Sequence, residues 1–260
     1  MCQLALRDGT YSYLFLIPPI FAWLLYLERK HPEPAGSLAF WPAIAIGAVA
    51  VSLAVFSMQC SSYPPTSVLA LYACSAVLLS IAGFVLIFGR TKARASLFSL
   101  TFLFFAVPIP DFLLQRIIYW LQSGSAAVAE VLFEISGAPV LREGFVFRLP
   151  KMSIEVAQEC SGIRSSMALL ILALLLAHFA FRPIWKKLTF VFAGLCMMLI
   201  KNGIRIASLT LLANYVSPSF LLGPLHHQGG IVFFLIGLGL LIPVFRALRK
   251  GETSSLRAAE

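Results

Sequence analysis

The chain has 260 residues, of which 60% are hydrophobic and only 12% charged, and its mean hydropathy is +0.90. Soluble domains have an apolar share nearer one half, so this composition excludes an ordinary soluble enzyme and predicts an integral membrane protein. The net charge is +9, but no basic stripe interleaved with aromatic residues and no nucleic-acid motif accompanies it, so nucleic acid is excluded as a partner.

Seven apolar runs are long enough, or nearly so, to cross a membrane core about 30 Å thick. They fall at about 11–27, 38–58, 68–89, 95–110, 166–181, 188–208 or beyond, and 231–247. Pro18 and Pro19 in the first run, and "VPIP" at the end of the fourth, predict short or kinked helices. Residues 112–136 carry interspersed polar side chains, which predicts either an amphipathic helix at the interface or an eighth span.

Basic residues alternate between successive connections, and this alternation predicts the orientation of the chain. Connections 28–37, 90–94 and 182–187 hold two, three and three lysines and arginines, and the C-terminal tail holds four. Connections 59–67 and 217–230 hold none. Because short cytoplasmic loops retain positive charge, we expect a cytoplasmic C-terminus and, with seven spans, an extracytoplasmic N-terminus.

Residues 111–165 form the one long stretch between the predicted spans. Within it, "APVLREGFVFRLPKMSIEV" alternates apolar and polar residues around Gly144 and "LPK", which predicts short strands or a hairpin. The alternation of spans places this stretch outside the cytoplasm. The predicted fold is therefore an all-α integral membrane bundle of about seven (six to eight) transmembrane helices, with a small extracytoplasmic cap before the fifth core span.

Cys160 stands directly before the fifth span, in "ECSGIRSS". A thiol at a helix N-terminus with Arg164 one turn on lies in positive potential, which favours the thiolate that a nucleophilic cysteine needs. Arg164 is thus a candidate supporting residue. The alternative is that Cys160 is a small buried residue beside an ordinary helix start.

Lys201, Asn202 and Arg205 interrupt the sixth apolar run. Asn202 and Arg205, at i and i+3, share a helix face, which makes Asn202 a candidate supporting residue for Arg205. A charge within a membrane span is costly and indicates a function, with snorkelling towards the outer headgroups as the alternative. Arg205 follows Leu188 by about 25 Å of helix, which places it near the outer boundary of the membrane core.

His226 and His227 lie in the outer loop before the seventh span and are followed by two glycines. No carboxylates or further cysteines stand at ligand spacing, so the sequence predicts neither a metal nor another cofactor. The topology brings Cys160, Arg205 and these histidines to one outer level of the membrane. A nucleophile, a cation and a base at one depth are the parts that thiol acyl transfer requires.

Three blocks in this order resemble the exosortase/archaeosortase family of multi-pass membrane cysteine transpeptidases. They are "ECSGIRS" with Cys160, "NGIR" with Asn202 and Arg205, and "HHQGG" with its two histidines. The resemblance extends over roughly residues 100–245. It implies an exosortase-like catalytic core over 95–247, N-terminal transmembrane helices in 1–94 and a cytoplasmic tail in 248–260.

The resemblance also implies roles for the site residues. Cys160 would attack a backbone carbonyl of a C-terminal sorting signal and form an acyl-thioester. Arg205 would stabilise the oxyanion or protonate the leaving group, and a histidine would assist proton transfer. The spacing between histidine and glycine in the family favours His226, with His227 as the alternative.

Substrates of the family carry a short motif of the PEP-CTERM kind, then a transmembrane helix and a basic tail. The processed protein passes to an acceptor linked with exopolysaccharide or a lipid anchor. We therefore expect the lipid bilayer, such tripartite signals and an unidentified acceptor nucleophile as partners, in the cytoplasmic (inner) membrane with the active site outside.

Two other functions stay open at this point. One is a membrane transporter or assembly protein in which Arg205 and Lys201 line an anion pathway. The other is a cysteine protease that hydrolyses the same signal, because hydrolysis and transpeptidation share the acyl-enzyme and differ only in what attacks it.

Overall fold

The fold is taken from a computed structural model. It describes residues 9–29, 39–59, 63–158, 162–217, 219–222 and 230–257. The chain divides into two compact units, Met1–Gln115 and Arg116–Glu260. This spatial division does not delimit a catalytic core, so the predicted division into 1–94, 95–247 and 248–260 stays a prediction.

The first described element of this unit is a 3-10 helix, Gly9–Leu16, that continues into α1, Ile17–Glu28. Pro18 and Pro19 stand in the first turn of α1, where a backbone N–H has no partner within the helix, so proline is tolerated there. The first apolar run therefore forms a short α-helix, as its prolines predict.

Two long helices follow in the first unit, α2 at Phe40–Gln59 and α3 at Pro65–Ala95. They pack on each other, and Ser75 donates a hydrogen bond to the Ala50 carbonyl at 2.7 Å. Gly89 has φ 76° and ψ 173°, which kinks α3 where the third apolar run was expected to end.

The fourth apolar run forms a broken helix. It comprises α4, Leu97–Phe102, and a 3-10 turn, Leu103–Ala106, after which Val107 is extended. The break falls at "VPIP", where each proline removes a backbone donor and disfavours helix in the residue before it. The predicted amphipathic helix then follows as α5, Asp111–Ser136.

A small antiparallel sheet in the second unit follows α5. Its strands, in the order β1-β2-β3, are Leu141–Glu143, Val146–Arg148 and Ser153–Glu155. Phe147 pairs with Ile154 across the sheet and packs edge-on against Phe133 of α5, with ring centroids 5.2 Å apart. Ile206 belongs to the same core. The predicted hairpin is confirmed, with a third strand added.

Four further helices are described in the second unit. They are α6 at Ile163–Ala180, α7 at Ile184–Tyr215, the short α8 at Ser219–Leu222 and α9 at Gly230–Arg257. Three of them, α6, α7 and α9, pack around a second core. Leu169 of α6, Phe190 of α7 and Leu241 of α9 are buried together in this core. This core joins α6, α7 and α9.

Five helices in the described part of the chain are long and apolar enough to cross a membrane. They are Phe40–Gln59, Pro65–Ala95, Ile163–Ala180, Ile184–Tyr215 and Gly230–Lys250. The number rises to six if the bent pair Leu97–Ala106 and Asp111–Ser136 is one broken span, and Tyr13–Glu28 is a shorter apolar helix. Large apolar side chains such as Trp41, 83% exposed, suit a lipid-facing surface. The all-α membrane fold is confirmed.

Candidate active site

The polar residues of the sixth apolar run lie together in one turn of α7. Lys201 and Asn202 are each only 1% exposed, and Arg205 is half-buried. The helix has 32 residues, which is about 48 Å and longer than a membrane core. Lys201 and Asn202, whose exposure to lipid would cost the most free energy, are buried against protein, where hydrogen bonds can compensate for lost hydration.

Asn202 packs against the first residue before α6. Gly162, the residue preceding that helix, has φ +70°, and a Cβ placed on it would lie 2.8 Å from Asn202 Oδ1. On its other side, Asn202 Nδ2 donates to Ser125 Oγ of α5 at 3.0 Å. The amide is thus held between α5 and the turn that begins α6.

Lys201 contacts the same turn from the next position along α7. Its Nζ donates to Ser165 Oγ at 2.6 Å, and Ser165 Oγ in turn donates to the Gly162 carbonyl at 3.1 Å. The Lys201 stem packs against α9, since a Cβ on Gly237 would lie 3.0 Å from Lys201 Cδ. No Asp or Glu within the described ranges forms an ion pair with Lys201.

Glycines let α5 and α7 approach closely at this level. A Cβ on Gly203 would lie 3.1 Å from the Ser125 carbonyl and would overlap Val128. A Cβ on Gly124 would lie 2.9 Å from a methyl carbon of Leu199. Small residues at such crossings allow backbones to come together, and this approach brings Ser125 within reach of Asn202.

The chain before Cys160 is also anchored. Gln122, buried in α5, donates to the Val156 carbonyl just after β3. Val156 precedes Cys160 by four residues, and Gly162 follows it by two. Contacts with α5 on one side and with α7 on the other therefore fix both flanks of the segment that contains Cys160.

The predicted site residues divide into three groups. Asn202 and Arg205 share one turn of α7, and Asn202 contacts the turn that follows Cys160. Arg164 is exposed, and its side chain makes no hydrogen bond or ion pair with any residue that the structure describes. Cys160, His226 and His227 lie outside the described residues.

Sequence reasoning did not single out the serines and the glutamine of this network. Ser125, Ser165 and Gln122 are ordinary polar residues of amphipathic or capping stretches, and no local spacing distinguishes them. The one available indication was that each is a polar residue close to a predicted apolar helix surface, where an apolar residue would be expected. Within the described ranges, no three His, Cys, Asp or Glu side chains cluster as a metal site would require.

Comparison with known proteins gives one match. A protein-family model described as transmembrane exosortase matches residues 5–243, which is more than nine-tenths of the chain. No curated protein and no solved structure matches significantly. The matched region contains all three sequence blocks and every residue of the site described above. The chain therefore belongs to the transmembrane exosortase family, a family of membrane cysteine transpeptidases that act on sorting-signal substrates.

Proposed function

We propose that this chain cleaves C-terminal sorting signals of the PEP-CTERM kind from exported proteins, through an acyl-thioester on Cys160. The contact between Asn202 and Gly162 is the observation that carries the proposal. It ties the turn after Cys160 to the turn of α7 that bears Arg205. Two peptide units reach at most about 7 Å, so a thiol at position 160 works close to this contact.

The proposed first step transfers the acyl group to sulfur. The Cys160 thiolate attacks the carbonyl carbon of the scissile peptide, a C–S bond forms, and the carbonyl oxygen becomes an oxyanion. Arg205 donates hydrogen bonds to that oxyanion, which stabilises the charge where it develops. The C–N bond then breaks, and the leaving amine takes a proton from His226, with His227 as the alternative donor.

The second step releases the product. An acceptor nucleophile, linked to exopolysaccharide or a lipid anchor, loses its proton to the histidine and attacks the thioester. The C–S bond breaks and Cys160 returns as the thiolate. Water in place of the acceptor gives hydrolysis, which is the protease variant of the same proposal.

The membrane fold fits a substrate that is itself anchored by a helix. We place the catalytic core in residues 95–247, the active site on the extracytoplasmic side of the cell membrane and the C-terminus in the cytoplasm. Twelve of the 20 basic residues then lie at cytoplasmic edges, as short cytoplasmic loops require.

The transporter alternative receives less support from the contacts. Lys201 is buried by packing on Gly237 and bonded to Ser165, so its charge is engaged within the helix contacts. A pathway residue would instead face a water-filled cavity. The contacts thus favour a site that holds the chain around Cys160.

The test is substitution of Cys160 in a strain that co-expresses a reporter protein with a C-terminal tripartite signal. Cys160→Ala and Cys160→Ser should abolish processing, because neither side chain supplies a thiolate. Cys196→Ser, in the half-buried part of α7, is the matched control and should process the reporter normally. Unchanged processing by Cys160→Ala would refute the proposal, and a thioester-linked enzyme–reporter adduct released by hydroxylamine would support it directly.

A further inference from the structure

Lys201 is a fully buried cation to which the proposed reaction assigns no role. Moving an ammonium group out of water costs several kcal/mol unless hydrogen bonds or opposite charges compensate. No carboxylate among the described residues pairs with it, and its Nζ donates to a neutral hydroxyl, Ser165 Oγ. An apolar residue would fill the same space at lower cost, so packing alone does not explain a lysine.

The hydrogen bonds of Lys201 lead to the turn that follows Cys160. Lys201 Nζ donates to Ser165 Oγ at 2.6 Å, and Ser165 Oγ donates to the Gly162 carbonyl at 3.1 Å. The same carbonyl also accepts the backbone N–H of Ser166 at 2.9 Å. The ammonium fixes the serine hydroxyl as an acceptor from lysine, which directs its single proton towards Gly162.

Two adjacent residues of α7 thus hold one turn from two directions. Asn202 closes on the Cα of Gly162, and Lys201 acts through Ser165 on its carbonyl. Gly162 has φ +70°, which glycine adopts about as readily as negative φ, so contacts with neighbouring residues, and not a local backbone preference, set the position of this turn. Arg205 extends from the same turn of α7, so one rigid element sets both the nucleophile's turn and the guanidinium.

We propose that Lys201 is a positioning residue for acyl transfer: through Ser165 it holds the Gly162 turn, and with it the backbone of Cys160, in register with Arg205. The inference rests on the proposed function and deepens it. Lys201 touches no reacting atom in this scheme. It acts by keeping the thiol and the oxyanion donor at a fixed separation, which is the geometric requirement of a near-attack arrangement.

The test compares Lys201→Met, Ser165→Ala and the double variant in detergent-purified full-length enzyme, with a fluorescent peptide bearing the signal motif as substrate. Methionine keeps the length of the stem beside Gly237 but removes the ammonium. We expect kcat to fall on the order of 10- to 100-fold in each single variant, with KM within about twofold. The double variant should lose no more than the worse single variant, because both changes break one chain of hydrogen bonds.

Lys186→Met is the matched control. Lys186 lies on the same helix, is 5% exposed and donates to the Leu248 carbonyl at 2.9 Å, about 22 Å of helix away from Lys201. The Lys186→Met substitution removes a buried ammonium without changing any contact of the Gly162 turn, so kcat per folded enzyme should stay near wild type. Ser165→Thr retains the hydroxyl and should restore most of the kcat lost in Ser165→Ala.

Three outcomes overturn the inference. They are a kcat near wild type for Ser165→Ala, losses that multiply in the double variant, and an equal loss for Lys186→Met. If Lys201→Met does not accumulate as folded protein, the comparison of Ser165→Ala with Ser165→Thr decides. Cys160→Ala is measured in the same assay. Activity in Cys160→Ala would refute the proposed function. If Cys160→Ala is inactive but Ser165→Ala has normal activity, only the positioning role is refuted.

Discussion

Gly162→Ala is the substitution that probes the site most sharply in the described structure. At φ +70° an alanine methyl meets backbone strain, and the methyl would also lie 2.8 Å from Asn202 Oδ1 and 3.0 Å from its Cγ. Asn202 cannot move aside freely, because it is 1% exposed and its Nδ2 is bonded to Ser125. The turn or the amide must therefore shift.

Both effects have known magnitudes. A non-glycine residue in the left-handed region costs about 1–2 kcal/mol. Displacing the Asn202 amide breaks a buried hydrogen bond, which costs about 1–3 kcal/mol. The two together predict a loss of roughly 2–5 kcal/mol if the turn is retained. At about 2–4 °C per kcal/mol for chains of this size, Tm should fall by roughly 4–20 °C.

Gly144→Ala separates strain from steric overlap. Gly144 also has positive φ, +64°, but nothing lies within 4 Å of a Cβ placed on it. This control should lose only the strain contribution, about 1–2 kcal/mol, and should keep full processing activity. The measurement is thermal unfolding of the detergent-purified variants, with reporter processing recorded in parallel.

The double variant Gly162→Ala with Asn202→Ala tests the cause. Without the amide, the methyl has room. The double variant should therefore lose about 1–3 kcal/mol less stability than the sum of the losses in the two single variants. A Tm for Gly162→Ala no lower than that of Gly144→Ala would refute the reasoning, because it would mean that Asn202 does not close on this turn.

Three further predictions concern the proposed chemistry. Arg205→Lys should lower kcat about 10-fold or more, since lysine lacks the forked donors of arginine. The control Arg164→Lys, at an exposed position, should process the reporter normally. Equal losses in the two variants would contradict an oxyanion role for Arg205. His226→Ala should reduce processing far more than His227→Ala, and the reverse order in the same reporter assay would reassign the proton carrier. In a variant whose other four cysteines are replaced, Cys160 should react with a membrane-impermeant thiol reagent applied from outside; labelling only from the cytoplasmic face would invert the topology.

Most of the helices were predictable because a membrane span requires about 20 consecutive, mainly apolar residues, which local composition shows directly. Each of the seven apolar runs corresponds to a helix or part of one, and the prolines of "VPIP" end the fourth where predicted. The sixth apolar run leaves the end of α7 open at 208 or beyond. The helix continues to Tyr215, because the turns beyond the apolar run still pack on protein.

The contacts of the site were not predictable from local pattern. The spacing of Asn202 and Arg205 indicated a shared face, but which neighbour that face meets depends on how α5, α6 and α7 cross. The glycines at 124 and 203 decide that crossing, and a single glycine in a helix carries no partner information. Arg164 illustrates the limit: being one turn from Cys160 did not show that its side chain is exposed.

The last helix carries an asymmetry in what sequence change it can absorb. A Cβ on Gly237 would lie 3.0 Å from Lys201 Cδ, so the lysine stem would have to shift to admit it, whereas nothing lies within 4 Å of a Cβ on Gly239. Two glycines that look interchangeable in the printed sequence thus differ in mutational tolerance. Substitutions at position 239 can add side chains towards the lipid. A substitution at position 237 depends on which residue occupies position 201, so positions 237 and 201 should change together or not at all.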